Sequence, residues 1–158
     1  MKNIRILTLA VAAAAALSLA GCFGVAITTQ QEAAAAVKAI GQGGGAALLT
    51  AHLVDGVVDP VYLAQYEATL PKIAGYMQGA ITPADFGKII ASIKAVVTPA
   101  QAAGLGLLGS LGGDFPAIAG NTATGALVDL ECKQLAAGMT NAIGQVTGTN
   151  YVVPANAK

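Results

Sequence analysis

An apolar run near the N-terminus constrains the folding of this chain more than any other feature. From Ile6 to Leu19 every residue is Leu, Ile, Val or Ala apart from two hydroxyl residues. These 14 residues fall short of the roughly 20 that a membrane-spanning helix needs,. Two cationic residues precede the run, Lys2 and Arg5. Positive charge followed by a short apolar run is typical of a secretory signal peptide. We therefore expect residues 1–21 to be a signal peptide that is removed.

The end of the run indicates how the chain is processed. Leu19-Ala20-Gly21-Cys22 resembles the lipobox of bacterial lipoprotein signal peptides, and the resemblance covers residues 1–22. It implies cleavage between Gly21 and Cys22, a diacylglyceryl group on the Cys22 thiol, and a new amine that can be acylated. Two or more acyl chains hold a protein stably on a membrane. The alternative is an uncleaved helical anchor with an incidental cysteine.

The resemblance also implies a location in the cell envelope. In such lipoproteins an Asp directly after the cysteine often signals retention in the inner membrane, and here that residue is Phe23. In a source with two membranes, the periplasmic face of the outer membrane is therefore expected.

The composition of residues 22–158 excludes some partners. This part carries six lysines, no arginine and eight carboxylates, a net charge of about −2. Such a chain cannot neutralise a phosphate backbone, so nucleic-acid binding is not expected. It is rich in Ala and Gly, and small side chains bury little area each. Close helix packing or contacts with a second subunit are therefore expected.

Helix start signals predict an all-α fold, a small bundle of five or six short helices. Three of these signals place a capping side chain before proline: Asp59-Pro60, Thr82-Pro83 and Thr98-Pro99. A capping box at Thr29 and Glu32 predicts the first helix. We expect a tether over 22–28, a helical domain over 29–146 and a flexible tail over 147–158. Pro71 is expected to kink the helix that carries Tyr62, Tyr66, Ile73 and Met77.

Glycines complicate the first half of the domain. The five residues from Gly41 to Gly45 include four glycines, and each interior glycine costs a helix up to about 1 kcal/mol. We therefore expect a hinge or loop there, with a second apolar helical segment over 46–54. Phosphate binding is not expected, because no Gly-Lys-Ser/Thr or Gly-x-Gly-x-x-Gly spacing follows.

Two apolar segments of the second half allow alternative interpretations. Residues 102–113 are free of charge and apolar, which fits a core helix, an interfacial segment or a pore-forming segment. The last helix, about 123–146, has an apolar seam from Val128 to Val146 that includes Cys132. Cys132 is interpreted either as a buried small hydrophobe or as the site of a disulfide between two copies. A second amphipathic stripe runs from Phe86 to Val97.

No catalytic, metal or cofactor site is predicted. His52 is the single histidine, and the body has serines only at positions 92 and 110. Leu108 stands where a Gly-x-Ser-x-Gly elbow around Ser110 needs its first glycine. His52, Asp55 and Asp59 form the best candidate metal cluster, but a solvated pair or a partial cap is the simpler interpretation.

These observations lead to two hypotheses of function. The first is a lipid-anchored envelope protein, not an enzyme, with a structural or protein-interaction role. Its expected partners are the membrane, an envelope protein or a second copy. The alternative is a membrane-active lipoprotein of the lysis or pore type that inserts residues 102–113 into a bilayer.

Overall fold

A computed structural model describes residues 30–105, 108 and 122–148. The predicted signal peptide, Cys22, the tether, Thr29, most of 102–113 and the tail beyond residue 148 lie outside these residues. The described part confirms the all-α prediction. Its elements are α1 Gln30–Thr50, β1 Leu53–Val54, β2 Val57–Val58, α2 Pro60–Ala74, a 3-10 turn Tyr76–Gln78, α3 Pro83–Val96, α4 Pro99–Gly104 and α5 Thr122–Thr147.

Helix α1 is continuous through Gly41–Gly45, so the predicted hinge or loop is wrong. The glycines allow neighbouring helices to approach closely. A Cβ atom on Gly41 would lie 2.6 Å from the Leu135 carbonyl oxygen, and one on Gly44 would lie 2.8 Å from Ile93 Cγ2. Packing against α5 and α3 thus offsets the intrinsic cost of glycine in a helix.

The α1–α5 contact is the most extensive in the described fold. On α5, Gly138 lies so close to the Lys38 carbonyl oxygen that a Cβ atom there would overlap it. Gly41 packs on Leu135, and Gly45 packs on Met139 and Ala142. Position along α5 thus rises with position along α1, so the two helices run in the same direction.

Helix α2 packs antiparallel to α5. The Tyr66 hydroxyl donates to the Met139 carbonyl oxygen at 3.1 Å, whereas Gln78, later in the chain, donates to Asp129 at 2.9 Å. Pro71 lies in the last turn of α2, which ends at Ala74. Met77, which was expected within this helix, lies in the 3-10 turn.

The predicted caps are present at three helices. Asp59 caps α2, Thr82 accepts from the Asp85 amide at 3.2 Å, and Thr98 with Gln101 forms a full capping box. The α3 stripe is confirmed: Phe86, Ile90 and Ile93 are buried, and Ile89 and Val97 are half-buried. Phe86 stacks on Tyr76 with ring centroids 4.1 Å apart.

The α5 seam forms the centre of the core. Val128, Cys132, Leu135, Met139 and Ile143 are all buried. Leu105 and Leu108, from the apolar segment 102–113, join the same core. Among the described residues, no helix combines the length and apolarity needed to cross a membrane.

Candidate functional site

A β-hairpin connects α1 to α2 where the sequence predicted further helix. Residues 46–50 continue α1, but Leu53 pairs with Val58 and Val54 pairs with Val57 in antiparallel register. The expected helical segment over 46–54 is therefore wrong beyond Thr50. The turn residues Asp55 and Gly56 have φ of 53° and 81°. Positive φ at both positions is a type I′ turn, which matches the twist of a two-residue hairpin.

Both ends of the hairpin are fixed to the bundle. Val58 is buried in the core. The Asp59 amide donates to the His52 carbonyl oxygen at 2.9 Å, which extends the pairing by one residue on each side. The Asp59 carboxylate Oδ1 accepts from the amides of Val61 at 2.7 Å and Tyr62 at 3.2 Å, which starts α2.

His52 contacts both helices that flank the hairpin. Its ring stacks on Tyr62 with centroids 3.5 Å apart and planes 4° from parallel. Its Nδ1 lies 2.9 Å from the Leu48 carbonyl oxygen, and because a carbonyl can only accept, Nδ1 carries the proton,. Partial burial raises the pKa of the Tyr62 hydroxyl. These contacts give His52 a structural role at the joint between α1 and α2.

The three residues of the candidate metal cluster have other structural roles. His52 binds a main-chain carbonyl, Asp55 lies in the turn, and the Asp59 carboxylate caps α2. Within residues 30–105, 108 and 122–148, no three His, Cys, Asp or Glu residues are grouped so that they could hold a metal ion. Ser92, the described serine, donates to the Lys88 carbonyl oxygen at 3.0 Å.

The hairpin carries an exposed apolar surface that the sequence reasoning missed. Of the five large hydrophobic side chains exposed in the described part, four lie between positions 53 and 61, and the fifth is Val96. We call these four the hairpin patch: Leu53, Val54, Val57 and Val61. Val54 is 60% exposed and Val57 is 66% exposed. Partners directly opposite share one face of a hairpin, so these two valines point away from the core that Val58 enters.

A sequence signal for this surface was present. Asp-Gly flanked by β-branched residues, as in Val54-Asp55-Gly56-Val57, is among the strongest short-range indications of a hairpin,. The apolar residues before it, from Ala46 to Val54, were interpreted as helix, and this interpretation obscured the turn. The exposure of the valines was not predictable, because it depends on how the hairpin meets the bundle.

Two ionisable groups are buried on α5. Cys132 is fully buried, and burial raises the pKa of its thiol to about 12. This agrees with the small-hydrophobe interpretation, since a disulfide to a second copy would require Cys132 to leave the core. Glu131 is 2% exposed, and burial raises the pKa of its carboxyl to about 7.

One groove of about 380 Å³ lies between α2 and α5. Its lining includes Leu70, Pro71, Ala136 and Thr140, with Lys133 as the charged group. The Lys133 ammonium already pairs with Asp129 at 2.7 Å. The groove therefore offers an apolar surface without a free charge to orient a ligand.

Comparison of the chain with protein-family models, with curated proteins and with solved structures finds no match.

Proposed function

We propose that this protein is a lipid-anchored component of a bacterial cell envelope, and that its helical body binds another protein. The lipid attachment rests on the Leu19-Ala20-Gly21-Cys22 pattern and the charged, apolar run before it. The binding role is carried by one observation, the concentration of exposed apolar side chains in the hairpin patch. Val54 and Val57 lie side by side on one face of the hairpin, and adjacent exposed apolar side chains in a small domain mark an interaction site.

The position of the patch favours a protein over the anchoring membrane as its partner. The hairpin follows the C-terminal end of α1, whereas the anchor would precede the N-terminal end of the same helix. Helix α1 has 21 residues, which at 1.5 Å per residue separates its ends by about 30 Å. The patch thus lies at the end of α1 that is distant from Gln30, the residue at which the expected tether would join the helix.

The membrane-active alternative is less well supported. Leu105 and Leu108 are the large apolar side chains of segment 102–113 that the structure describes, and both are buried in the core. Insertion into a bilayer would have to withdraw them from the core, which would cost the burial free energy of two leucines, about 3–6 kcal/mol.

Cell fractionation tests the lipid attachment, and a binding measurement on the same proteins tests the role of the patch. The unmodified protein is expected in the membrane fraction, and Cys22→Ser is expected to lose the lipid. A folded Cys22→Ser body that still binds through the hairpin patch would support the proposal. Recovery of the unmodified protein from the membrane fraction without the added mass of a lipid would contradict lipid anchoring. Binding that is unchanged by Val54→Ser together with Val57→Ser would contradict the role of the patch.

A further inference from the structure

We propose that the hairpin patch docks an apolar segment of a partner protein that carries lysine or arginine beside its apolar side chains. The inference rests on the proposed function and specifies the partner of the same site. It follows from three properties of the hairpin: its exposed valines, its rigidity and the sign of its charge.

The exposed valines supply the apolar part of the contact. Val54 and Val57 lie directly opposite each other at the end of the hairpin. Val61, in the first turn of α2, is 67% exposed, whereas Leu53, 37% exposed, pairs with Val58 on the other face of the hairpin. A partner that covers these side chains removes apolar area from water, which is the dominant favourable term in protein association.

The hairpin is already held in shape before binding. Its turn has the type I′ conformation, Val58 is buried, and the Asp59 side chain caps α2 with two hydrogen bonds. The stacked rings of His52 and Tyr62 fix the joint with α1. Little conformational entropy would be lost on docking, and such preorganisation increases affinity.

The stretch of chain that carries the patch has a negative charge. From residue 39 to residue 71 the chain has no lysine or arginine, but it has Asp55, Asp59 and Glu67. The Asp59 carboxylate faces two amides at the positive end of α2, so part of its charge is balanced there,. Asp55 stands exposed at the turn, between Val54 and Val57.

This charge decides between two kinds of partner. Anionic phospholipid headgroups attract basic surfaces, and a patch bordered by carboxylates would be repelled by them. A protein segment with cationic side chains gains complementary charge, which guides encounter and orientation. The same charge disfavours a second copy, because two hairpin patches would bring their carboxylates together.

Photo-crosslinking in the producing cells tests the inference on the full, lipid-anchored chain. A diazirine amino acid is placed at position 54, and the crosslinked peptide is identified by mass spectrometry. The matched control carries the same group at position 96, where Val96 is exposed but lies outside the patch. The expected adduct joins position 54 to an apolar peptide of another protein with adjacent lysine or arginine, at a yield well above the control.

Two variants check the source of the affinity. Val57→Ser should reduce the adduct at position 54 by about fivefold, since it removes apolar contact directly opposite that position,. Asp55→Asn keeps a residue that tolerates positive φ, and should reduce the adduct by about two- to threefold at low salt. In high salt the Asp55→Asn effect should disappear.

The possible outcomes separate this inference from the proposed function. An adduct to an acidic or uncharged segment of another protein would overturn the inference and leave the proposed function standing. An adduct to phospholipid, to a second copy or to residues 149–158 of the same chain would overturn both. A crosslinking yield at position 54 equal to that at position 96 would also overturn both the inference and the binding role of the patch.

Discussion

Gly138 lies where the backbones of α1 and α5 come closest. A Cβ atom at this position would overlap the Lys38 carbonyl oxygen and lie 2.9 Å from the Gln42 amide nitrogen. Backbone atoms cannot rotate away as a side chain can, so Gly138→Ala should force the helices apart. We expect the free energy of unfolding to fall by about 1–3 kcal/mol, measured by urea denaturation followed by circular dichroism.

Two other glycines provide the control for that experiment. A Cβ atom on Gly43 in α1 or on Gly87 in α3 would meet nothing within 4 Å. Because alanine favours helix over glycine, Gly43→Ala and Gly87→Ala should raise the free energy of unfolding by about 0.5–1 kcal/mol. Equal effects at positions 43, 87 and 138 would contradict the close α1–α5 packing.

Glu131 should make stability depend on pH. Burial raises the pKa of its carboxyl from 4.5 to about 7. Between these values the folded protein keeps a proton that the unfolded chain has released. The free energy of unfolding should therefore fall as pH rises through this window, by on the order of 3 kcal/mol in total.

The Glu131→Gln variant isolates this effect. The amide cannot ionise, so the variant should gain stability over the natural protein at pH 8 and differ far less at pH 4. Urea denaturation at both pH values measures the two differences. If the differences were the same at both pH values, Glu131 would not be the group responsible.

At the scale of elements, Asp59 joins the hairpin to α2. Its carboxylate accepts from two amides of the first helical turn, and loss of such a cap typically costs about 1 kcal/mol. Asp59→Ala should lower the free energy of unfolding by that amount, whereas Asp59→Asn, which keeps a capping oxygen, should change it little. Thermal or urea unfolding of the two variants measures these changes. Equal losses of unfolding free energy in both variants would contradict a capping role for Asp59.

Local signals predicted where the helices begin. The hinge predicted at Gly41–Gly45 was wrong because the conformation there depends on long-range contacts. The caps at Asp59, Thr82 and Thr98 act within three residues, so the sequence around them was sufficient. Gly41 and Gly45 remain helical because of Leu135 and Met139, which are far away in the chain.

The hairpin shows a different limit of sequence reasoning. Its turn signal at Asp55 and Gly56 was readable, but the apolar residues before it also fitted a helix. Its exposed valines could not be distinguished from core valines by sequence, since Val57 is exposed and the adjacent Val58 is buried. The candidate site therefore became identifiable only once the fold was known.

At the scale of the whole molecule, the burial of Leu105 and Leu108 bears on membrane activity. Leu105 and Leu108 are part of the core, so the folded body should not insert them. Protein without its lipid should release no dye from phosphatidylglycerol or phosphatidylcholine vesicles. Dye release by the folded Cys22→Ser protein would favour the membrane-active alternative.

In the proposed arrangement, a lipid on Cys22 attaches this helical body to an envelope membrane. The intact mass of the membrane-extracted protein, compared with that of Cys22→Ser, tests it most directly. We predict a chain that begins at Cys22 and carries the added mass of a diacylglyceryl group, with or without a further acyl chain, and no such addition in Cys22→Ser. An unprocessed chain that begins at Met1 would contradict the claim and would indicate an uncleaved N-terminal membrane segment.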